Sequence, residues 1–310
     1  MDVLQQEIHH RAERARGGQS LRLFHGRGQT FPGLEDVIVD YFAPMAHVIL
    51  YDERPADWLE LLAACLRQEL AECLEGIVVQ QRFLPGAPST LLWGRLPDVT
   101  TAVEDGLTYR LRLGQAQNIG FFPDMVAGRR WVRDSAKGKL VLNLFAYTCS
   151  FSVAALAGGA EHVVNIDMNR GALDLGRLNH RNNDISLARA TFLSHDIFKS
   201  FGKLQRLGPF DLVVIDPPTA QGKSFQAEKD WARLLRRVPG LLNSGGQILA
   251  CLSAPQYPVS FLTDLFTDCL PSGRFLERLS PGPDFPERHP DRGLKLLLYQ
   301  WSPPSAGPSD

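Results

Sequence analysis

The sequence lacks several features that would assign it to a specialised class of protein. Its 33 Lys and Arg balance 34 Asp and Glu, so the formal net charge is -1. This balance excludes nucleic-acid binding that depends on the net charge of the whole protein. Any binding of nucleic acid must therefore use a local basic patch. The five cysteines contain no C-x-x-C pair and no histidine at ligand spacing. We therefore expect no disulfide framework and no metal site.

The beginning of the chain, MDVLQQEIHHRAERARGG, has no apolar segment of the kind found in secretory signals. Together with the cysteine usage, this absence predicts a cytoplasmic protein. One uncharged run, 140–160, approaches the roughly 20 residues that span a bilayer. It contains Asn143, Thr148 and two adjacent glycines, and its pattern changes midway. The run is therefore interpreted as a buried strand followed by a helix, and no membrane association is expected.

The pattern divides the chain into four parts. Residues 1–20 are predicted to form a polar N-terminal tail, 21–115 a small α+β domain, 116–303 a larger α/β domain, and 304–310 a disordered tail. In the small domain, 55–75 is predicted to be an amphipathic helix that begins at Pro55 and is capped by Gly76. Its two cysteines, Cys65 and Cys73, lie on the apolar stripe. Alternation over 109–113 predicts a half-buried strand.

The larger domain alternates strands with helical patterns, which is typical of a doubly wound, mostly parallel sheet. Two further strand-like runs at the end have no helix between them, so they predict an antiparallel C-terminal hairpin that completes a seven-stranded sheet. The predicted strands are 140–144, 162–167, 190–193, 210–215, 247–252, 274–279 and 294–301.

In such a sheet the ligand lies beyond the carboxyl ends of the strands. The loop after the first strand, Asn143 to Ser150, has no G-x-G-x-x-G sequence. A nicotinamide dinucleotide needs those glycines for close approach of its pyrophosphate. The loop therefore favours a ligand without a pyrophosphate and makes a nicotinamide oxidoreductase the less favoured alternative.

Carboxylates follow the second and third strands. Asp167, followed by Met168 and Asn169, can accept hydrogen bonds from both ribose hydroxyls of a nucleoside, or it can serve as a helix cap. Asp196 can accept from an adenine amino group, with Ile197 and Met168 packing on the base.

The fourth strand ends in Asp216-Pro217-Pro218, the most specific signal in the chain. The prolines lock φ, so the Asp216 carboxylate and the Pro217 carbonyl are held rigidly. A carboxylate placed beyond a buried strand is costly to desolvate, and a cationic partner is expected. The alternative is a proline turn that leaves the sheet.

These strand ends resemble class I S-adenosylmethionine-dependent methyltransferases, which have a Rossmann-like fold. The resemblance is closest to the bacterial 23S ribosomal-RNA cytosine-C5 and guanine-N7 methyltransferases. It covers about Gly114 to Trp301 and is weaker over 21–113, which looks like the small RNA-holding domain of that family. The segments that carry it are NIGFFPDMVAGRRWVRDSAKGKLVLNLFAYTCSFSVAALAGGAEHVVNIDMN, GRLNHRNN, Asp196-Ile197-Phe198 and DLVVIDPPT.

The resemblance implies an enzyme that uses S-adenosylmethionine to methylate a base in RNA, most readily ribosomal RNA. It places Phe145 and Tyr147 at the donor's methionine portion and Asp167 at its ribose, with Thr148, Met168 and Asn169 as neighbouring cofactor-binding residues. Asp196 and Ile197 lie at its adenine, and Asp216 with Pro217 faces the reacting centre. The segment 120–124 resembles a lid over the donor, with Asn118, Phe122, Asp124 and Arg129 as further donor-binding residues.

The chain departs from that family at three places. Cys149 stands where the family has a glycine, and Val126 where it often has an arginine. Cytosine-C5 enzymes need a thiolate at the end of the fifth strand, because carbon 5 reacts only after a nucleophile adds to carbon 6. Ser253 occupies that position, and Cys251 lies two residues earlier, within the strand. In-line methyl transfer without a cysteine nucleophile is therefore expected, and the alternative is that Cys251 takes part as the nucleophile.

Two basic clusters are candidates for RNA contact, although a solvated helix face is the favoured interpretation of either cluster taken alone. One cluster comprises Arg129, Arg130, Arg133, Lys137 and Lys139, and the other comprises Arg233, Arg236 and Arg237. Phe225 is a candidate for stacking on a base. Two other functions stay open: a methyltransferase with a small-molecule or protein acceptor, and a non-catalytic donor-binding RNA assembly factor.

Overall fold

A computed structural model describes residues 1–218, 220–221 and 225–304. The chain divides into two compact units. The small unit contains Met1–Val126 and Gly282–His289, and the large unit contains Ala127–Pro281 and the described residues from Pro290 onward. The C-terminal residues 305–310, most of the predicted disordered tail, lie outside the described residues.

The small unit is built on a five-stranded sheet of order β1-β2-β3-β4-β5, in which β3 and β4 are parallel and the other neighbours are antiparallel. Two helices cover one face of the sheet, and the apolar side chains between them form a continuous core. A separate hairpin, β6–β7, follows. The elements are α1 (Asp2–Arg16), β1 (Leu21–His25), β2 (Val37–Phe42), β3 (Met45–Leu50), α2 (Ala56–Leu70), β4 (Gly76–Gln81), β5 (Ser89–Gly94), β6 (Thr100–Glu104) and β7 (Leu107–Leu111).

The first sixteen residues, predicted as a polar tail, form helix α1 on this core. Leu4, Ile8, Ala12 and Ala15 recur at helical spacing, and none of the four is exposed. The apolar stripe is only one residue wide per turn, which explains why the segment looked polar as a whole. Helix α2 ends at Leu70, five residues before the predicted end, because Ala71 adopts a φ of 45°.

The segment 282–289 belongs to the small unit although it interrupts the last two strands of the large one. Asp284 accepts hydrogen bonds from Arg11 and Arg14, and the amide of Arg288 donates to the Gly28 carbonyl at 2.7 Å. A Cβ at Gly28 would lie 1.7 Å from the Pro286 carbonyl oxygen. Glycine is therefore required at Gly28 for this close approach of two backbones.

The large unit contains the predicted seven-stranded sheet, whose order is β10-β9-β8-β11-β14-β16-β15. The strands from β10 to β14 are parallel, as their continuous apolar sequences predict. Its elements are α3 (Val126–Ser135), β8 (Leu140–Leu144), α4 (Ser150–Ala157), β9 (His162–Asp167), α5 (Arg170–Arg181), β10 (Ala190–Ser194), α6 (Phe201–Leu207), β11 (Phe210–Ile215), β12 (Ala220–Gln221), β13 (Phe225–Gln226), α7 (Ala227–Leu235), β14 (Leu242–Leu252), α8 (Val259–Cys269), β15 (Gly273–Leu279) and β16 (Lys295–Trp301).

The uncharged run 140–160 forms β8 and then α4, which confirms the strand-and-helix prediction. Among the described residues, no helix is long and apolar enough to cross a bilayer. The predicted C-terminal hairpin is also confirmed: β16 lies between β14 and β15 and is antiparallel to both. The doubly wound, mostly parallel fold with a smaller α+β unit before it is therefore the observed fold class.

Candidate active site

The strand register brings the predicted residues to one rim of the large sheet. Leu144 lies opposite both Ile166 and Ile215, so the next residues along the chain after these three are level with one another. Those residues are Phe145, Asp167 and Asp216. Neighbouring strands are about 4.8 Å apart, so the backbones of Asp167 and Asp216 are separated by roughly 10 Å, the width of two strand spacings.

The loop after β8 has an unusual backbone. Phe145, Tyr147 and Cys149 have φ angles of 56°, 46° and 62°, so three alternate non-glycine residues are left-handed. Each such residue costs about 1–2 kcal/mol. Hydrogen bonds from the Ala146 amide to the Ile166 carbonyl and from the Cys149 amide to the Ala146 carbonyl hold the loop. Strain held by surrounding contacts is concentrated at functional sites, and here it shapes the backbone beside Asp167.

Asp167 is tied to this loop through its carboxylate. Its Oδ2 accepts the Tyr147 amide at 2.8 Å and its Oδ1 accepts the Asn169 amide at 2.7 Å. Burial raises the pKa of Asp167, and these two backbone hydrogen bonds oppose that rise. Each carboxylate oxygen can accept a second hydrogen bond, so the group can still receive two further donors.

The helix cap after β9 is Asn169, and not Asp167. The Asn169 side-chain oxygen accepts the Ala172 amide at 3.0 Å and begins α5. Asp196 has a comparable local role, because its Oδ1 accepts the Phe198 amide at 2.8 Å at the start of a 3₁₀ turn. Asn169 and Asp196 therefore cap the turns that follow their strands, while the Asp167 carboxylate holds the loop after β8.

The two apolar residues predicted to pack on a base differ in their surroundings. Met168 is 52% exposed, whereas Ile197 is buried in the main core of the large unit. Asp216 is half-buried, and Pro217 after it is buried. Phe225 is also buried, with its ring edge-on to Phe145 at 5.1 Å, and is not available to stack on a base. Of the loop after Asp216, Thr219 and 222–224 lie outside the described residues.

Of the further donor-binding residues predicted at the lid, three lie in the small unit and Arg129 lies in the large unit. In the small unit, the Asn118 Oδ1 accepts from Arg82, and Phe122 is 41% exposed. Asp124 is half-buried in a 3₁₀ turn and raises the pKa of Arg22, although Asp40 contributes more to that rise. In the large unit, Arg129 lies on α3 and is 2% exposed, so it is not part of a solvated basic face as the sequence predicted.

The sequence did not predict a chain of buried side-chain hydrogen bonds that lies beneath the rim. The Asn143 amide donates to Asn165 at 3.0 Å, the Asn165 amide donates to the Ser152 hydroxyl at 3.0 Å, and Ser152 is 2.9 Å from the His180 ring. The other ring nitrogen of His180 is 2.7 Å from the Gly176 carbonyl. The chain thus joins β8, β9, α4 and α5, and no member is more than 1% exposed apart from Gly176.

A second contact ties the strained loop to the same helix. The Asn179 amide donates to the Thr148 carbonyl at 3.0 Å, and both residues are buried. Thr148 lies between the left-handed residues Tyr147 and Cys149. The signal that could have revealed these contacts is the pair Asn179-His180 on the apolar side of an otherwise amphipathic helix.

The departure at Cys149 is accommodated by a glycine on α5. A Cβ on Gly176 would lie 2.5 Å from the Cys149 Sγ and 3.0 Å from its Cβ. The thiol is fully buried, and burial raises its pKa well above the ordinary value. The Cys149 side chain therefore occupies space that Gly176 leaves empty, and it behaves as an apolar filler.

Cys251 lies within β14, opposite Leu296 of β16, and is fully buried. Ser253 is exposed just beyond the end of the strand. Because Ala250 lies opposite Ile215, the strand register puts Cys251 level with Asp216 and Ser253 two residues farther along the chain. It is the complete burial of the Cys251 thiol that argues against its use as a nucleophile.

Comparison with known proteins identifies the family to which the sequence and this fold belong. The profile of the S-adenosylmethionine-dependent methyltransferases matches residues 21–300. Ribosomal RNA large subunit methyltransferase I of Yersinia pseudotuberculosis is 28% identical over 283 residues, which are 87% of this chain and 71% of that protein. The protein of the same name from Yersinia pestis gives the same values.

Among solved structures, a SAM-dependent methyltransferase from Streptococcus mutans has a TM-score of 0.85 at 25% identity, covering 96% of this chain and 80% of that chain. A methyltransferase complexed with SAH has a TM-score of 0.84 at 25% identity, covering 96% and 81%. Because the family profile spans nearly the whole sequence, this chain belongs to the S-adenosylmethionine-dependent methyltransferases, and S-adenosylmethionine is its methyl donor.

Proposed function

We propose that this chain transfers the methyl group of S-adenosylmethionine to a base in ribosomal RNA. The observation that carries the proposal is the Asp167 carboxylate at the sheet rim, tied by backbone hydrogen bonds to a strained loop that is not rich in glycine. The RNA acceptor is supported by the names of the Yersinia relatives, which are ribosomal RNA methyltransferases. Such an acceptor is in keeping with the cytoplasm as the place of action.

The donor's ribose fits Asp167. One oxygen of the carboxylate accepts the Tyr147 amide and the other accepts the Asn169 amide, and each retains acceptor capacity. The two hydroxyl groups of the ribose could therefore each donate one hydrogen bond to this carboxylate. Met168 is an exposed apolar side chain next to this carboxylate, and a bound adenosine would cover it.

The remaining donor contacts are assigned by position. Phe145, Tyr147 and Thr148 lie in the loop after β8 and would surround the methionine portion. Asn169, Asp196 and Ile197 follow β9 and β10 and would line the nucleoside end, with Asp196 accepting from the adenine amino group. Asn118, Phe122, Asp124 and Arg129 stay predictions as further donor-binding residues, and the small unit is predicted to help to hold the RNA.

The donor, when bound, supplies a methyl group that its positively charged sulfur has already activated for displacement. The protein then needs to orient the acceptor base in line and to exclude water. Asp216 can accept a hydrogen bond from an exocyclic amine or ring N–H of the base, and the Pro217 ring stiffens the backbone that carries it. A ring nitrogen or an amine needs no thiolate, in keeping with the complete burial of Cys251 within its strand.

The test is nucleoside mass spectrometry of ribosomal RNA from a strain that lacks the gene, followed by methyl transfer to that RNA in vitro. One methylated nucleoside should be missing in the strain and restored by the purified protein. Asp216→Ala should abolish transfer while S-adenosylhomocysteine still binds, and Cys251→Ser should remain active. RNA and donor binding without turnover would instead identify an assembly factor, and full modification in the strain would contradict the proposal.

A further inference from the structure

We propose that the large unit carries a phosphate-binding surface for the backbone of the RNA substrate, formed where α6 and the end of α7 meet. This inference rests on the proposed function and specifies where the acceptor is held. We call the site the basic surface. Its members are Lys199, Lys203, Arg206, Arg233, Arg236 and Arg237.

The fold joins two groups of cations that are distant in sequence. The Arg233 guanidinium lies over the Phe198 ring, with its central carbon 4.2 Å from the ring centroid. The Arg237 guanidinium lies over the Phe201 ring at 4.9 Å. Phe198 lies in the 3₁₀ turn next to Lys199, and Phe201 begins α6, so these contacts place Arg233 of α7 and Arg237 just after it beside the lysines of the other segment. From sequence alone, only the α7 group was visible.

The charge of the basic surface is largely uncompensated. All six side chains are exposed, and the stretches 197–208 and 233–242 contain no Asp or Glu. Of the acids at the start of α7, Asp230 is buried, accepts the Gln226 amide at 2.8 Å and lies 4.0 Å from Arg233. Glu228 accepts the Tyr257 hydroxyl. Six exposed cations are thus concentrated on one surface of a chain whose formal net charge is only -1.

The chemistry favours a polyanion with a regular backbone. Arg guanidinium groups present a planar set of donors that matches phosphate oxygens, and stacking on an aromatic ring restricts their motion before a ligand arrives. One end of the surface lies near the candidate active site, because the 3₁₀ turn Ile197–Lys199 follows Asp196 directly. From there α6 and α7 run toward the opposite edge of the sheet, since each leads into the start of the next parallel strand. RNA whose backbone lies along these helices would therefore reach the sheet rim at the Lys199 end.

The test uses Lys203→Glu combined with Arg236→Glu, two exposed cations whose side chains have no described hydrogen bond or ion pair. The probe is a mixed-sequence single-stranded RNA oligonucleotide, titrated at several salt concentrations. Single-stranded RNA gives a slope of log affinity against log salt of about −0.7 for each phosphate neutralised. If both cations contact phosphates, the slope should become shallower by about 1.4, and affinity at low salt should fall several-fold.

The matched control is Arg181→Glu combined with Arg274→Glu, which makes the same change in net charge. Arg181 is exposed at the end of α5, and Arg274 is exposed on β15, the edge strand farthest from β10. The control should keep nearly the wild-type salt slope. Equal thermal unfolding temperatures and equal affinity for S-adenosylhomocysteine establish that both variants are folded.

A slope that is the same in the basic-surface variant and the control would overturn the proposal. So would a variant that binds RNA normally but loses affinity for polyglutamate, which would identify an acidic protein as the partner. The outcome is separable from that of the proposed function. If the wild-type protein methylates RNA and the variant keeps the wild-type salt slope, only the proposed surface is wrong. If the slope changes but no methyl transfer is detected, only the proposed activity is wrong.

Discussion

The Ser152 hydroxyl donates a hydrogen bond to Nε2 of His180, 2.9 Å away. The direction follows from the opposite side of the ring, where Nδ1 lies 2.7 Å from the Gly176 carbonyl oxygen. A carbonyl only accepts, so Nδ1 carries the proton and Nε2 is the acceptor. The hydroxyl oxygen of Ser152 then accepts from Asn165. The chain from Asn143 to Gly176 therefore has one direction, and it requires a neutral imidazole.

Replacing Ser152 by alanine should destabilise the large unit. The substitution removes the donor to His180 and an acceptor for Asn165, in surroundings that water does not reach. Leaving buried polar groups unsatisfied costs about 1–3 kcal/mol. The free energy of unfolding, measured by urea denaturation, should fall by that amount, while Ser260→Ala on the exposed start of α8 should change it little. Equal stabilities of the two variants would contradict the directed chain.

His180 should also make stability depend on pH. Burial lowers the pKa of His180 below its ordinary value of 6.5, although the hydrogen bond to Gly176 opposes this. As the pH falls below about 6.5, the unfolded chain takes up a proton that the folded chain does not, so stability is present above that pH and is lost below it. His180→Gln should flatten the dependence between pH 6.5 and the lowered pKa by up to about 1.4 kcal/mol per pH unit.

Urea denaturation of both proteins at several pH values measures this difference, and NMR titration of the His180 ring locates its pKa directly. The other buried histidines with lowered pKa values, His25 and His47, remain in the variant and keep part of the dependence. An identical slope in the two proteins would show that His180 is not held neutral.

Whether the position of a residue can be predicted from the sequence depends on whether local or tertiary interactions determine that position. Asp167 is the last residue of one apolar strand and Asp216 follows another, and because such strands run parallel in one sheet, both residues come to the same rim. The burial of Phe225 and of Arg129 depends on neighbours from other segments, which no local pattern reports. The His180 chain needs four elements at once, and the basic surface needs two helices to meet. These are products of tertiary packing, so sequence alone could not supply them.

The contact between Gly176 and Cys149 predicts a non-additive pair of substitutions. Gly176→Ala should destabilise the protein by about 1–3 kcal/mol, because its Cβ would meet the thiol at 2.5 Å. In a Cys149→Gly background the same change should cost much less, since both clashing atoms are gone. Gly202→Ala on α6, where nothing lies within 4 Å, is the matched control. A double-mutant cycle of unfolding free energies measures the coupling, and additive values would refute it.

Asp167 should make donor affinity depend on pH and on its carboxylate. Both ribose hydroxyls need an ionised acceptor, and burial raises the pKa of Asp167 above its ordinary value of 3.8. Affinity for S-adenosylhomocysteine, measured by calorimetry, should therefore fall as the pH falls, and it should begin to fall at a higher pH than an exposed aspartate would require. Asp167→Asn replaces one acceptor oxygen by a donor, so it should weaken binding by about 1–3 kcal/mol and remove that pH dependence. Asp174→Asn, which changes an exposed carboxylate paired with Arg177, should bind as the wild type does. If Asp167→Asn binds with wild-type affinity at every pH, the ribose does not lie at this carboxylate.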